Sequence, residues 1–518
     1  MLACPWKVAR METSTSEAAA ARRLAWALGG VIFLVHLALN GRYGFFRDEL
    51  YFIACGHHLA WGYVDQPPLV AVMARLGELF LGGSLWGFRI PANAAAAACV
   101  VLTGLLVTRL GGGRFAVALA AALVALGPDM LVRGHLLTMN AFEPVFWLAI
   151  VHVLAGMLRD KDARPWPLLG LLIGVALLNK YSALFLVAGL FVGLLATPQR
   201  RLLRSPRFLL AVALAALLVL PNVLWQAAHG WPMLELLRNG QLHKNTPFAL
   251  GSFFSQQVLI LGPLAVVTSL AGVVWLLRAP QARPFRALAL GLLTVELLFV
   301  LGKAKPYYPT ALFPPLIAAG AVLLGRIRTA PGRLAALTLA LVPGLVVAPL
   351  AVPILSPENF IAYQATLGVR PKPLERKAMG VLPQHFADQF GWEELVATVG
   401  RAWAQLPAEE RAHTGLYAQN YGEAGALDLF GPRERLPPAL SGHNQYWLWG
   451  RAAPDVDGLL IVGGDPEDHR TACARVDLLA RAPESPYVMP YENALPIWHC
   501  SGLRLPIQQL WPRTRHYE

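Results

Sequence analysis

Three carboxylates lie close together in the stretch RDELYFIACGHHLAWGYVDQPP, residues 47–68. Asp48 and Glu49 are adjacent, and Asp65 follows 17 residues after Asp48. A carboxylate can act as a general base on an acceptor hydroxyl or amine when it lies within hydrogen-bonding distance of that group. The alternative is that Asp48 and Asp65 cap short helices or pair with a nearby arginine, and the residues alone favour neither interpretation.

Lysines and tyrosines form a second group of residues that could take part in the chemistry of a site. Lys180 in GVALLNKYSALF separates two apolar segments, and Lys303 and Lys305 precede Tyr307 and Tyr308 in GKAKPYYPTALFPPL. A lysine at a membrane surface often only extends its amine into water. Lysine amines beside tyrosine hydroxyls also suit a phosphate held at the depth of lipid headgroups. We favour the interpretation that these residues bind a phosphate.

The elements that must position these residues are apolar. The chain has 518 residues, of which 56% are hydrophobic and 14% charged, with a mean hydropathy of +0.48. A soluble protein carries about a quarter charged residues. Apolar stretches of about twenty residues, the length of a membrane-spanning helix, recur between residues 24 and 354. The sequence therefore predicts a polytopic α-helical membrane protein, with a transmembrane domain at 1–355 and a soluble C-terminal domain at 356–518.

Eleven membrane spans are predicted, with boundaries uncertain by several residues. They are 24–40, 87–109, 114–131, 141–158, 165–179, 182–197, 207–226, 254–277, 285–301, 307–325 and 333–354. The tight connections around 111–113 and around Lys180 leave the count open by two, so thirteen spans are the alternative. Two helices lying along the outer membrane surface are predicted within about 42–86.

Basic residues concentrate in four short loops. RDKDAR (159–164), QRRLLRSPR (199–207), RAPQARPFR (278–286) and RIRTAPGR (326–333) hold 13 lysines and arginines, against 6 in the opposing short connections. The positive-inside rule makes these four loops cytoplasmic, together with the N-terminus. An odd number of spans then puts the C-terminal domain and the loop at 42–86 outside. The net charge of +13 is explained by this orientation, so we predict no nucleic-acid partner.

This orientation gathers the unusual polar groups of the apolar half on the outer side. His135, Asn140 and Glu143 join the loop carboxylates, lysines and tyrosines there. Ionisable groups near a membrane are costly unless they line a wet cavity or a site. We therefore predict an active site at the outer interface. A transporter or lipid flippase is the main alternative, although such proteins usually carry charges near the bilayer midplane and often contain inverted repeats. A non-catalytic scaffold is the third.

Eight segments, taken in order, resemble bacterial relatives of the protein O-mannosyltransferases, a group that includes aminoarabinose transferases acting on lipid A. They are RDELYF (47–52), GYVDQPPLVAVM (62–73), LLTMNAFEPVFW (136–147), GLLIGVALLNKYSALF (170–185), PNVLWQAAHGWP (221–232), KPYYPTALFPPL (305–316), QNYGEAGALDLFG (419–431) and SGHNQYWLWG (441–450). The resemblance covers nearly the whole chain.

The resemblance implies a GT-C glycosyltransferase of the inner membrane, with its active site and C-terminal domain extracytoplasmic. The implied donor is a sugar linked to a polyprenyl phosphate, and the acceptor is lipid A, core oligosaccharide, another glycolipid or a protein. Asp48 matches the catalytic acid of the family and Asp65 a second loop acid, with Tyr63 as an aromatic residue lining the site. The oligomeric state is left undetermined.

Other residues match positions expected near the lipid phosphate, namely Lys180, Lys305 and Tyr308. Asn140 departs from the family pattern, because many members carry an aspartate there. Glu143 lies three residues further on and hence on the same helical face. Because a phosphate is a good leaving group, its displacement requires no cofactor. A divalent cation bound between carboxylates is left open.

The C-terminal domain is predicted to be a small α/β domain. Strands are predicted at 414–420 and 458–464, and helices at 391–405 and 422–430. The aromatic and amide residues of HNQYWLWG (443–450) suit either a hydrophobic core or contact with a sugar, and we favour the core. Recognition of the acceptor by this domain is a hypothesis, as is a disulfide between its two cysteines, Cys473 and Cys500.

Overall fold

A computed structural model describes residues 15–373, 375–450 and 455–518. The predicted cytoplasmic N-terminus, at residues 1–14, lies outside the described residues. The chain divides into two compact units. The membrane unit comprises residues up to 39 together with 89–220 and 248–352, and the second unit comprises 40–88, 221–247 and 353–518. The loop at 42–86, which we grouped with the transmembrane domain, is thus counted with the C-terminal residues.

Seventeen α-helices precede residue 353 in the described chain. They are α1 Thr15–Leu39, α2 Arg47–His57, α3 Leu69–Leu81, α4 Leu85–Phe88, α5 Ile90–Arg109, α6 Arg114–Ala125, α7 Pro128–His135, α8 Met139–Asp160, α9 Trp166–Asn179, α10 Ala183–Leu195, α11 Pro206–Ala228, α12 Pro232–Asn239, α13 Leu250–Leu261, α14 Pro263–Arg278, α15 Arg286–Leu301, α16 Phe313–Leu324 and α17 Ala330–Ala351. Short 3₁₀ segments lie at Pro198–Arg204, Pro280–Phe285 and Tyr308–Leu312, and a π-helical turn at Gly240–Lys244.

Six helical segments among the described residues are long and apolar enough to cross a membrane. They are Thr15–Leu39, Leu85–Arg109, Met139–Asp160, Pro206–Ala228, Pro280–Leu301 and Ala330–Ala351. Three bent helix pairs raise the number to 9 if each pair is one span, and two shorter apolar helices lie at Trp166–Asn179 and Tyr308–Leu324. Each of the eleven predicted spans overlaps one of these segments, so a count of eleven requires both shorter helices to cross.

Sharp bends interrupt two spans that we predicted as single helices. The span at 114–131 is α6 and α7, which meet at 68°, and the span at 254–277 is α13 and α14, which meet at 106°. A Gly-Pro pair lies at each bend, because Pro128 and Pro263 begin the second helix of each pair. Proline cannot donate the backbone hydrogen bond that a continuous helix needs, and Gly262 adopts a left-handed φ of 89°.

Small residues allow the helices of the membrane unit to pack closely. A side chain at Gly189 of α10 would overlap the backbone of Gly291 in α15, at 2.5 Å from its carbonyl oxygen. Such small-residue contacts are typical of helix packing within membranes, where dispersion rather than water exclusion holds helices together. The surrounding core includes the fully buried rings of Trp147 and Phe299.

The C-terminal residues add eight short helices and five strands. They are α18 Pro357–Thr366, α19 Gln384–Ala387, α20 Trp392–Gln405, α21 Ala408–Ala412, β1 Thr414–Ala418, α22 Tyr421–Phe430, β2 Ala439–Ser441, α23 Gln445–Trp449, β3 Gly458–Val462, α24 Pro466–Ala472, β4 Cys473–Arg481, β5 Pro496–Leu503 and α25 Ile507–Leu510. Further 3₁₀ turns lie at Gly431–Glu434, Pro490–Glu492 and Trp511–Thr514.

The five strands form one mixed sheet in the order β2-β1-β3-β5-β4. β1 runs parallel to β2 and β3, whereas β5 runs antiparallel to β3 and β4. The two predicted strands are β1 and β3, and the two predicted helices are α20 and α22, so the α/β assignment is confirmed. Cys473 and Cys500 form the disulfide that the sequence left open, with their Cα atoms 5.7 Å apart, and it joins β4 to β5.

Candidate active site

The predicted site residues fall into two clusters, one in each unit. The acid cluster, in the second unit, contains Asp48 and Asp65 with the residues that touch them. The cation cluster, in the membrane unit, contains Lys180, Glu143 and Asn140 with their partners. Each cluster is described by itself.

Asp48 lies in the first turn of α2, and a tyrosine from the C-terminal domain holds its carboxylate. Tyr421 Oη donates a hydrogen bond of 2.9 Å to Asp48 Oδ1. The Asp48 side chain retains 33% exposure, so the carboxylate is fixed at one oxygen and still open to another molecule. Asn420 positions the tyrosine by capping α22, because its Oδ1 accepts from the backbone N–H groups of Gly422 and Glu423 at 2.8 and 3.1 Å.

Glu49, which we predicted to contact substrate, accepts a hydrogen bond from the backbone. Its Oε2 accepts a 2.9 Å hydrogen bond from the backbone N–H of Phe46, which satisfies a donor at the start of α2. The residue is fully buried. Contact of Glu49 with substrate stays a prediction.

Asp65 is also held by a tyrosine hydroxyl. Tyr51 Oη donates a 2.8 Å hydrogen bond to Asp65 Oδ1. Burial raises the pKa of Asp65 to about 6, the hydrogen bond from Tyr51 lowers it, and the neighbouring charge of Asp48 raises it. A carboxyl group with such a pKa changes its protonation state close to neutral pH.

Tyr63, which we predicted to line the site, is fully buried, and its hydroxyl donates to the carbonyl oxygens of Cys55 at 3.0 Å and His58 at 3.2 Å. It also accepts from the backbone N–H of Ala60 at 3.2 Å. Tyr63 therefore ties the loop carrying Asp65 to the end of α2.

A buried arginine, which sequence reasoning had considered only as a pairing partner, accompanies the acids. The Arg47 guanidinium donates to Tyr491 Oη at 3.0 Å and lies 5.3 Å from the centroid of the Tyr421 ring. Its Nε lies 3.8 Å from Asp388 Oδ2 and 3.9 Å from Asp48 Oδ1. Burial raises the pKa of Asp388, and the charge of Arg47 opposes that effect. One cation thus serves two carboxylates.

Lys180 is the centre of the cation cluster. Its Nζ donates to Asn140 Oδ1 at 2.8 Å and to Glu143 Oε2 at 3.0 Å, and it lies 4.9 Å from the centroid of the Tyr308 ring. Asn140 and Glu143 therefore do share one face of α8. Ser182 Oγ donates to the second oxygen of Glu143.

Arg133 is the residue of this cluster that sequence reasoning missed. Its guanidinium donates five hydrogen bonds, all between 2.6 and 3.2 Å. The acceptors are Asp129 Oδ2, Asn140 O, Glu143 Oε2, Tyr307 O and Thr310 Oγ1. Arg133 joins α7, α8 and the turn before α16. The acidic groups of this cluster therefore pair with basic groups, and Glu143 is shared by Arg133 and Lys180.

The remaining predicted residues do not all join the cation cluster. His135 is almost fully buried and its Nε2 lies 3.1 Å from Arg89 Nη1, and its contact with substrate stays a prediction. Lys303 is exposed and adopts a left-handed φ of 51°, whereas Lys305 is half-buried. Tyr307 packs edge-on against Tyr308, with ring centroids 4.8 Å apart.

Within residues 15–373, 375–450 and 455–518, no group of three or more His, Cys, Asp or Glu side chains is arranged to hold a metal ion. The acid cluster offers its carboxylates to tyrosine hydroxyls and one arginine instead.

Comparison with known sequences gives two matches. Residues 65–225 match the family described as dolichyl-phosphate-mannose-protein mannosyltransferase. The lipid A galacturonosyltransferase RgtD of Rhizobium johnstonii is 26% identical over 241 residues, which cover 45% of this chain and 50% of that protein. The chain thus matches about half the length of this relative.

Comparison with solved structures covers more of the chain. ArnT from Cupriavidus metallidurans in its apo state matches with a TM-score of 0.61 at 14% identity, over 92% of this chain and 97% of that one. ArnT bound to undecaprenyl phosphate matches with a TM-score of 0.55 over the same shares. The fold is that of the GT-C glycosyltransferases. The resemblance found in the sequence is confirmed at the level of the fold, and the chain is a multi-pass membrane protein with a C-terminal sheet domain.

Proposed function

We propose that this protein is a membrane glycosyltransferase that moves a sugar from a polyprenyl-phosphate-linked donor to an extracytoplasmic acceptor. Two comparisons support the donor class. The matching family is described by dolichyl-phosphate-mannose, and the structural relative ArnT has been solved with undecaprenyl phosphate bound. The single observation that carries the proposal is the carboxylate of Asp48, which is fixed by Tyr421 at one oxygen and remains one-third exposed.

In the proposed reaction, Asp48 removes a proton from the acceptor hydroxyl or amine. The acceptor atom then forms a bond to the anomeric carbon while the bond from that carbon to the phosphate oxygen breaks, so the configuration inverts. The proton resides on Asp48 and the electron pair leaves with the polyprenyl phosphate. A phosphate is already a good leaving group, so the chemistry needs stabilisation of its charge more than a general acid.

Lys180 is the proposed partner of that phosphate, with Lys305 and Tyr308. An ammonium group has three N–H donors, and Asn140 and Glu143 accept two hydrogen bonds from Lys180. These two partners fix the direction of the amine before substrate arrives. The third N–H can then donate to a phosphate oxygen, and the amine does not have to be reoriented when the phosphate binds.

We propose the inner membrane as the location, with the second unit's acid cluster on the extracytoplasmic side. The disulfide between Cys473 and Cys500 supports this orientation, because disulfides persist in oxidising compartments and are rare in the cytosol. Lipid A, core oligosaccharide, another glycolipid or a protein remain the acceptor classes of the proposal. The lipid A relative makes a glycolipid the first acceptor to test.

Glycosyl transfer by purified protein in lipid vesicles tests the proposal. Wild type, Asp48→Asn and Asp428→Asn are compared with a panel of polyprenyl-phosphate sugars and lipid A as acceptor. Asp428 is the matched control, because its carboxyl group also accepts from a buried tyrosine, Tyr446, at 2.7 Å. We expect Asp48→Asn to lose at least about a hundredfold in kcat, the scale of a lost general base, and Asp428→Asn to retain transfer.

Two results would contradict this expectation. Equal transfer by wild type and Asp48→Asn would move the base elsewhere, with Asp65 tested next. No transfer by folded wild type with any donor, when lipid A, core oligosaccharide, another glycolipid and a protein have each been supplied as acceptor, would contradict the glycosyltransferase proposal and favour the transporter alternative.

A further inference from the structure

Each proposed catalytic carboxylate is held by the hydroxyl of a buried tyrosine. Tyr421 donates to Asp48 at 2.9 Å and Tyr51 donates to Asp65 at 2.8 Å. Burial raises the pKa of both tyrosines well above the usual value, so both hydroxyls stay protonated and remain donors at neutral pH. Neither tyrosine was among the residues that we selected from the sequence.

The two tyrosine rings also contact each other. Their centroids lie 4.8 Å apart with an angle of 32° between the ring planes. Both side chains are buried, and the Arg47 guanidinium lies against the Tyr421 ring. A ring packed in this way has few alternative rotamers, so its hydroxyl has a defined position.

Helix α2 contributes to both hydrogen bonds, with an acceptor in one and a donor in the other. Asp48 and Tyr51 are three residues apart on this helix and therefore share a face. Asp48 accepts from Tyr421 of the C-terminal domain, and Tyr51 donates to Asp65 of the loop before α3. The stacked rings thus connect two carboxylates that no hydrogen bond in the described structure joins directly.

The C-terminal domain can reach α2 because α22 presents small residues to it. A side chain at Gly425 would meet the backbone carbonyl carbon of Leu50 at 2.9 Å, and one at Gly422 would overlap the Arg47 side chain. The backbone N–H of Gln445 also donates to Tyr51 Oη at 3.3 Å. Residues of the C-terminal domain therefore contact both tyrosines.

We infer that Tyr421 and Tyr51 are positioning residues for sugar transfer, with Tyr421 orienting the carboxylate of Asp48 and Tyr51 that of Asp65. The inference rests on the proposed function and deepens it, because it makes the C-terminal domain part of the acid cluster. The domain then contributes to the chemical step, in addition to any role in acceptor recognition.

Tyr421→Phe tests the inference, because it removes the hydroxyl and keeps the ring stack. Tyr446→Phe is the matched control. Tyr446 is buried in the same domain and stacks on Tyr51 at 6.3 Å, but its hydroxyl donates to Asp428. Transfer is measured in vesicles for wild type, both variants and Asp48→Asn, as kcat and KM from pH 5 to pH 9.

We expect Tyr421→Phe to lower kcat roughly tenfold to a hundredfold, the range that a hydrogen bond to a charged group is worth, with KM for the donor nearly unchanged. Tyr446→Phe should retain most of kcat, because the Tyr446 hydroxyl donates to Asp428. Tyr51→Phe should show a smaller loss than Tyr421→Phe.

The outcomes separate the inference from the proposed function. If wild type transfers sugar and Asp48→Asn does not, but Tyr421→Phe and Tyr446→Phe have equal kcat, the positioning role is overturned and the function stands. A loss in Tyr421→Phe that appears only in KM for the donor also overturns it. If folded wild type transfers no sugar, the proposed function fails and the positioning role fails with it.

Discussion

The two clusters use opposite ways of holding buried charge. In the cation cluster, Glu143 accepts from both Arg133 and Lys180, so each buried acid has a basic partner. In the acid cluster, Asp65 accepts from a neutral tyrosine hydroxyl, and one arginine lies between Asp48 and Asp388. Matched charges stabilise an arrangement, whereas a carboxylate held by a neutral donor keeps its capacity to take up a proton.

This difference indicates a division of labour. Five hydrogen bonds fix Arg133, and Lys180 is already aligned by two acceptors, which suits a preformed anion site. The pKa of about 6 at Asp65 suits a group that exchanges protons. Three predictions can break or sharpen this comparison.

Glu143→Gln should have the largest effect on stability. The change leaves Arg133 and Lys180 without their shared carboxylate, and breaking a buried ion pair on one side costs about 3–5 kcal/mol. We expect a lower thermal midpoint in detergent and a reduced yield of folded protein. Glu296→Gln is the control, since the hydrogen bond described for Glu296 comes from the neutral amide of Gln257 at 2.9 Å.

A Glu143→Gln protein with the wild-type thermal midpoint would break the comparison, because Arg133 and Lys180 would then not need their shared carboxylate for stability.

Gly425→Ala should have an intermediate effect. The added methyl group meets the Leu50 backbone at 2.9 Å, so α22 must move away from α2, and overpacking of this kind costs about 1–3 kcal/mol. We expect a lower thermal midpoint and a lower kcat, because Tyr421 moves with α22. Gly240→Ala is the control, since a side chain at Gly240 meets nothing within 4 Å. Equal behaviour of the two variants would show that the close approach of α22 is not needed.

Asp65→Asn should have the smallest effect, visible in the dependence of stability on pH. Burial raises the pKa of Asp65 from an ordinary 3.8 to about 6, so the folded state binds the proton more tightly than the unfolded state. Wild-type stability should therefore fall as pH rises between about pH 4 and pH 6, and the loss should persist at higher pH. Asp65→Asn cannot ionise and should lack this part of the decline in thermal midpoint.

Tyr51→Phe sharpens the same measurement. The Tyr51 hydrogen bond lowers the pKa of Asp65, so its removal should extend the decline of the thermal midpoint to higher pH. Identical profiles for wild type, Asp65→Asn and Tyr51→Phe would contradict the assignment of this titration to Asp65.

Much of the fold follows from local patterns in the sequence. The apolar stretches predict the membrane helices because each needs about twenty apolar residues wherever it lies in the chain. β1 and β3 were found because both are short and almost wholly buried. β4 was missed because CARVDLLAR exposes much of its length and therefore carries no apolar pattern. The bends at Gly127–Pro128 and Gly262–Pro263 also had a local signal, the Gly-Pro pair itself, but we predicted spans from apolar length and did not use it.

Candidate site residues could be predicted only where the residue type alone was enough to select them. Asp48, Asp65 and Lys180 could be selected because ionisable residues are rare in such a chain. Adjacency to Asp48 could not show that the Glu49 carboxylate turns back to the start of α2. The partner of Asp48 lies 373 residues away, at Tyr421, and no local signal connects the two.

That separation along the chain has a consequence for biosynthesis. Asp48 leaves the ribosome early, and translation proceeds at about 5–20 residues per second, so Tyr421 follows tens of seconds later. During that interval the membrane helices between them are made and inserted. The acid cluster is therefore completed only near the end of synthesis, and Asp48 lacks its tyrosine partner while the rest of the chain is being made.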